Sequence, residues 1–125
     1  MGWFFNKKKA VLLYDSGKKK IELSEKRIII QRNEKFTLDL KNNQDWIRMI
    51  DSVIEIANFA LSTGISREIH ALLIWDKKQK KYKLMKNKKS STRVNDTELI
   101  EGSSMILNNK DKINLGKSLS LQIIY

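Results

Sequence analysis

Apolar and polar positions alternate over short distances along most of this chain. Residues 35–40 alternate strictly, β-branched residues dominate 27–31, and 71–75 form a short apolar run. Such patterns, bounded by turn-forming residues, are typical of β-strands. They predict an all-β fold, an antiparallel β-sandwich of about 10–11 short strands. The predicted strands span 9–14, 20–23, 27–31, 35–40, 71–75, 82–85, 93–94, 98–99, 104–107, 112–115 and 119–125.

One segment has a different period. Over 45–61, polar residues recur every three or four positions, which predicts one amphipathic α-helix inserted in the sandwich. Its apolar face is wider than a single contact with a sheet would cover. We therefore expect this helix to bind a partner helix or to form a homodimer. The expected interaction residues are Trp46, Ile50, Val53, Ile54 and Ala57.

Composition narrows the possible functions. The 125 residues predict one domain at 9–125, with the helical insertion at about 44–63 and a basic, aromatic N-terminal segment at 1–8. The chain has no Cys and one His, which excludes disulfides and multi-histidine metal centres. It also lacks a phosphate-cradling glycine loop and a nucleophile elbow. We expect a protein that is not an enzyme and uses no cofactor or metal.

The charge balance points to phosphate-bearing partners. With 25 Lys and Arg against 14 Asp and Glu, the chain has a net charge of +11. A basic surface attracts phosphate in phosphopeptides, nucleic acids or anionic lipids. No apolar run reaches the roughly 18 residues of a membrane span. We expect a cytoplasmic protein, with residues 1–9 as a segment that could lie on a membrane interface.

An ordered set of short motifs fills the second half of the chain. Ser66-Arg67 precedes His70-Ala71, then come Ser90-Ser91-Thr92 and Val94-Asn95, and finally Asp111-x-Ile113-x-Leu115-Gly116. This order resembles the forkhead-associated (FHA) domain patterns S-R-x-H-A, S-x-N-G-T-x-V-N-G and L-x-x-G-D-x-I-x-L-G. Earlier, 20–40 is similar to the strand pair of that family that contains Gly-Arg, with Gln31-Arg32 in its place. The chain thus looks like a divergent FHA domain with a helical insertion before its S-R-x-H segment.

The resemblance implies a sandwich that recognises phosphothreonine in a partner protein. Arg32 would contact the phosphate and Ser66 would hydrogen-bond it, with Arg67 beside them. This chemistry is sound, because a phosphate dianion prefers a guanidinium group together with hydroxyl donors on rigid loops. The implied phosphopeptide-binding residues are Arg32, Ser66, Arg67, Ser90, Ser91 and Thr92, with His70 and Asn95 as structural support.

Three alternatives stay open. Arg48, followed by 51–56, could replace Arg32 as the family arginine, although Arg32 leaves the expected two strands ahead of it. The sandwich could instead be a phosphate-independent scaffold or oligomerisation domain that works through the inserted helix. The lysine clusters could also bind nucleic acid or an anionic membrane, and that binding would weaken steeply with salt.

Overall fold

The computed structural model describes residues 7–41, 45–57, 64–65, 69–87 and 90–125. Within these residues the chain forms twelve β-strands and one short helix, α1 (Glu34–Asp39). The strands are β1 (Ala10–Tyr14), β2 (Lys19–Leu23), β3 (Arg27–Arg32), β4 (Ile47–Ile50), β5 (Val53–Ile56), β6 (Ala71–Asp76), β7 (Lys81–Lys86), β8 (Thr92–Val94), β9 (Thr97–Glu98), β10 (Ser104–Ile106), β11 (Lys112–Leu115) and β12 (Leu119–Ile124).

The strands form two six-stranded sheets. The first sheet has the order β2-β1-β12-β11-β8-β9 and is antiparallel throughout. The second sheet has the order β10-β7-β6-β3-β5-β4, in which β3 and β5 are parallel and the other pairs are antiparallel. The predicted β-sandwich is confirmed.

Facing side chains of the two sheets form one core. Along β3 the buried residues are Ile28 and Ile30, two positions apart, because successive side chains of a strand point to opposite faces. Tyr82 is fully buried, and its hydroxyl donates to the carbonyl oxygen of Glu25 at 2.6 Å. The largest fully buried side chain is therefore also hydrogen-bonded.

The helix predicted over 45–61 is wrong where the structure describes that segment. Its residues form β4 and β5, which pair as an antiparallel hairpin. Asp51, in the two-residue turn, has a φ of 54°, the left-handed conformation that such tight hairpin turns use. The pairing of β5 with β3 outweighs the helical spacing of the polar residues, because tertiary contacts override local preference. Residues 58–61 lie outside the described part of the chain.

A helix is present, but it lies earlier, in a segment predicted to be a strand. Asn33 has extended backbone angles, and its side-chain oxygen accepts a hydrogen bond from the Phe36 N–H at 3.1 Å. That contact is an N-cap, which starts α1 directly after β3. In the resulting helix Phe36 is fully buried and Leu38 is 84% exposed. The strand prediction for 35–40 is therefore wrong, because Phe36 and Leu38 lie on different sides of the element.

Of the predicted N-terminal segment 1–8, residues 1–6 lie outside the described residues. The described chain reaches the first sheet through Lys9, whose N–H donates to the Leu23 carbonyl oxygen at 2.6 Å. The Lys9 ammonium lies 5.4 Å from the centre of a Trp75 ring, a cation–π distance.

Candidate functional site

The candidate site lies at one end of the sandwich, which we call the loop end. Here β3 runs into α1, and the connections that precede β6 and follow β7 meet. The Ile30 carbonyl of β3 accepts from the His70 N–H at 2.8 Å, and the His70 carbonyl accepts from the Asn87 N–H at 3.0 Å. These backbone bonds fix the ends of β3, β6 and β7 beside one another.

Arg32 is the last residue of β3. It stands two positions after Ile30, so it starts on the core-facing side of the strand, at the point where the sandwich opens. Its side chain is 21% exposed, and its Nε lies 2.8 Å from Glu34 Oε1. That ion pair leaves the buried Nε–H without an aligned acceptor among the described residues. Among the described residues, one ion pair therefore holds the Arg32 guanidinium, and its Nε–H has no aligned acceptor.

Arg48 is held in a different way. On the outer face of the second sheet, its Nε and Nη2 both lie 2.9 Å from Glu55 Oε1. Its guanidinium lies 4.2 Å from the centre of the Phe36 ring of α1. The other oxygen of Glu55 accepts from the side-chain amide of Asn33, the residue that caps α1. Arg48 thus fastens α1 to the sheet.

His70 joins the two sheets at the loop end. It is fully buried, and its Nε2 lies 2.8 Å from the Ser91 carbonyl oxygen, so Nε2 carries the proton and donates it. The same carbonyl accepts from the Gly116 N–H at 3.0 Å. Burial lowers the pKa of His70 below its ordinary value, and the charge of Lys86 lowers it further, against a raising effect of the Ser91 bond. His70 is therefore a neutral clamp on the Ser91 loop.

The 90–92 segment is held tightly against this clamp. The Ser90 N–H donates to the Asn87 carbonyl at 3.0 Å, and the Asn87 side-chain amide donates to the Ile69 carbonyl at 2.8 Å. Ser90 and Thr92 are buried, and Ser91 between them is partly exposed. Of these three residues, Ser91 is therefore the one that solvent reaches.

Asn95 lies at the far end of β8 from Ser91. It has a φ of 48° in the turn between β8 and β9, its side-chain amide donates to Asp111 Oδ1 at 2.9 Å, and its Oδ1 accepts from the Lys112 N–H at 2.9 Å. These bonds tie the turn to the start of β11. Asn95 is therefore placed to hold the first sheet together, away from Arg32.

Two of the predicted site residues, Ser66 and Arg67, lie outside the described residues. Nearby, Gly64 lies against the β11–β12 turn, where an added Cβ would come within 3.3 Å of Gly116 Cα. Its φ of 84° is also one that other residues rarely adopt. The connection that leads to β6 therefore approaches the turn after β11 closely.

The residues assigned to the interaction helix do not share an exposed face. Ile54 and Ala57 are fully buried, and Trp46 packs edge-on against Tyr14 with 5.7 Å between ring centres. Ile50 and Val53 pair across the β4–β5 hairpin on the outer side of the second sheet. The argument for self-association through a wide helical face is therefore wrong.

Sequence reasoning missed Glu34, Glu55 and Asn87. The signal for Glu34 was present, because Asn33-Glu34 is an N-cap followed by an acid in the first turn of a helix. No sequence pattern shows that Glu55 is buried between Arg48 and Asn33, since that depends on the pairing of β4, β5 and β3.

Among the described residues, no group of His, Asp or Glu is arranged to hold a metal. No helix in the described part of the chain is long and apolar enough to cross a membrane.

Solved structures of FHA domains resemble this chain. The FHA domain of an Arabidopsis thaliana hypothetical protein matches with a TM-score of 0.65 at 16% identity, covering 93% of this chain and 84% of that one. The N-terminal FHA domain of S. cerevisiae Rad53p, in complex with a phosphothreonine peptide, matches with a TM-score of 0.61 at 14% identity, covering 92% of this chain and 91% of that one. The FhaA FHA domain, in complex with the intracellular domain of another protein, matches with a TM-score of 0.55 at 23% identity, covering 91% of this chain and 98% of that one.

No protein-family model matches the sequence, and no curated protein matches it. At the identities of these structural matches, the similarity establishes the fold alone. The chain has the fold of an FHA domain, and its sequence has diverged far from those of the domains that share it.

Proposed function

We propose that this protein is a non-catalytic interaction module that recognises phosphothreonine in a partner protein. The observation that carries the proposal is Arg32 at the end of β3, whose buried Nε is paired with Glu34 but has no aligned hydrogen-bond acceptor among the described residues. Structures of this fold include one in complex with a phosphothreonine peptide. A guanidinium at such a position suits a phosphate oxygen, because charge-assisted hydrogen bonds are about twice as strong as neutral ones.

Binding would replace one anion on Arg32 by another. The Glu34 carboxylate neutralises Arg32 in the free protein, and a phosphothreonine with a charge of about −1.5 to −2 would compete with it. His70 would hold Ser91 in place during this exchange, because its neutral ring donates a hydrogen bond to the Ser91 carbonyl oxygen. Ser66 and Arg67 are proposed to complete the phosphate contacts, and the 90–92 segment to contact the peptide backbone.

The test is titration of a phosphothreonine peptide library against the full chain by fluorescence anisotropy. We expect phosphate-dependent binding that Arg32→Ala abolishes. Arg27→Ala is the matched control, because Arg27 is an exposed arginine at the opposite end of the same strand. Arg48→Lys separates the two arginine assignments, and we expect it to retain binding. No phosphate-dependent binding, or equal losses for Arg27→Ala and Arg32→Ala, would refute the proposal.

A further inference from the structure

Five apolar side chains form a row across the outer face of the second sheet. Because Ile28 and Ile30 of β3 point into the core, Ile29 points outward. Its partners in register share that outward face. The apolar row, in sheet order, is Met85, Leu72, Ile29, Val53 and Ile50. Neighbouring strands lie about 4.8 Å apart, so the row is about 19 Å long.

The apolar row faces solvent. None of its members belongs to the core or packs against it. Four are partly exposed, and Ile50 is 44% exposed. Ile74 and Ile106 extend the apolar surface at the next outward positions of β6 and β10, on either side of Lys83.

The first sheet shows what an outer face in contact with water looks like in this chain. Most of its outward positions are polar, namely Lys20, Glu22, Ser120, Gln122, Lys112, Asn114 and Arg93, and three are apolar, namely Val11, Leu13 and Ile124. A sheet with one solvated face usually alternates apolar and polar residues, whereas near-continuous apolar strands are typical of sheets covered on both faces. The apolar runs Ile28–Ile30 in β3 and Ala71–Trp75 in β6 follow the second pattern. The two central strands of the second sheet thus have the sequence of covered strands, whereas β7 alternates Lys81 and Lys83 with Tyr82 and Leu84.

The charges beside the apolar row define what would cover it. Arg27 and Lys83 stand at the next outward positions along their strands, and neither forms an ion pair with another described residue, although the Asp76 carboxylate on the same face interacts electrostatically with Lys83. A second copy of the chain would bring together two chains with a net charge of +11 each, which is unfavourable. A partner with carboxylates at the edge of its apolar contact would pair with them.

The shape of the surface favours a protein over a lipid bilayer. On the other side of the row, α1 stands above the sheet, because Phe36 packs over Arg48 on the outward face. The row therefore lies beside a raised helix. A flat lipid surface would meet α1 before the row, whereas a narrow protein segment could lie alongside it.

We propose that the outer face of the second sheet is a phosphate-independent docking site for an apolar protein segment whose flanks carry Asp or Glu. This site is separate from the loop end and uses none of the phosphate-binding residues. A module with both sites would hold one partner by phosphothreonine and another by this face.

The test is selection of random, unphosphorylated displayed peptides on the immobilised full chain, followed by titration of the enriched peptides. We expect enriched sequences that combine apolar residues with Asp or Glu. Ile29→Thr with Val53→Thr should weaken their binding at least about tenfold, because two contacts of apolar side chains are lost. Threonine keeps the preference for strands, and circular dichroism with a thermal melt checks the fold. Val11→Thr, a partly exposed outward residue of the first sheet, is the matched control.

A second pair of variants leaves the apolar row intact. Arg27→Glu with Lys83→Glu should also weaken binding and remove its salt dependence, while Arg32→Ala should leave it unchanged. The proposal is overturned if no sequence is enriched, or if the threonine pair binds as the wild type does. It is equally overturned if light scattering shows a dimer that the threonine pair dissociates. Binding to phosphatidylserine vesicles that depends on the row, in place of peptide binding, also overturns it.

Discussion

The buried His70 makes the stability of this fold depend on pH in a specific window. It is the chain's single histidine, it is fully buried, and burial together with Lys86 lowers its pKa in the folded protein. In the unfolded chain its pKa is about 6.5. Below that pH, His70 is protonated in the unfolded chain but stays neutral in the folded protein. With respect to His70, the free energy of unfolding is therefore highest above about pH 7, and it decreases as the pH drops toward the pKa of His70 in the folded protein.

The size of the effect follows from one proton per molecule. If His70 stays neutral in the folded state, lowering the pH from about 7.5 to about 5.5 costs at most about 1.4 kcal/mol. His70→Gln removes the titration and keeps an N–H donor that can reach the Ser91 carbonyl. We expect its unfolding free energy to be flatter over this window by about that amount. Its stability at neutral pH should be lower by about 1–3 kcal/mol, through imperfect replacement of a buried group.

Urea unfolding followed by tryptophan fluorescence, at several pH values for both proteins, measures this difference. Carboxylates begin to titrate at the acidic end, but they contribute equally to the two proteins and cancel in the comparison. Parallel pH profiles for wild type and His70→Gln would show that His70 takes up its proton as readily in the folded state as in the unfolded chain. The assignment of a neutral His70 to the folded protein would then be wrong.

Three further predictions concern individual side chains. Glu34→Gln should strengthen phosphopeptide binding by up to about fivefold in an anisotropy titration, because the competing ion pair with Arg32 is removed; unchanged or weaker binding would contradict the competition. Ile54→Glu should unfold the chain by circular dichroism, since it places a charge in the core, whereas Ile50→Glu on the exposed outer face should fold; equal tolerance would contradict the β4–β5 hairpin. Tyr82→Phe should lower the unfolding free energy by about 1 kcal/mol in urea, through loss of the buried bond to a backbone carbonyl, and an unchanged midpoint would count against that bond.

The sequence by itself determined the sandwich and most of its strands. Strands such as β7, β11 and β12 are specified by local alternation, β6 is specified by its apolar run, and turn residues that act over a few positions bound them. The ordered motifs around His70 and Leu115-Gly116 also indicated the FHA fold, which the solved structures bear out. These features are local in the chain, so a single sequence contains them.

Only the tertiary structure decided where the helix lies and what each polar residue of the site does. The 45–57 segment has helical spacing, but parallel pairing of β5 with β3 makes it strand, and such pairing depends on residues more than twenty positions apart. The contacts of Arg32 with Glu34, and of Arg48 with Glu55, follow from that pairing and from the Asn33 cap. The outward apolar row is likewise invisible along the chain, because it exists only once five strands are in register.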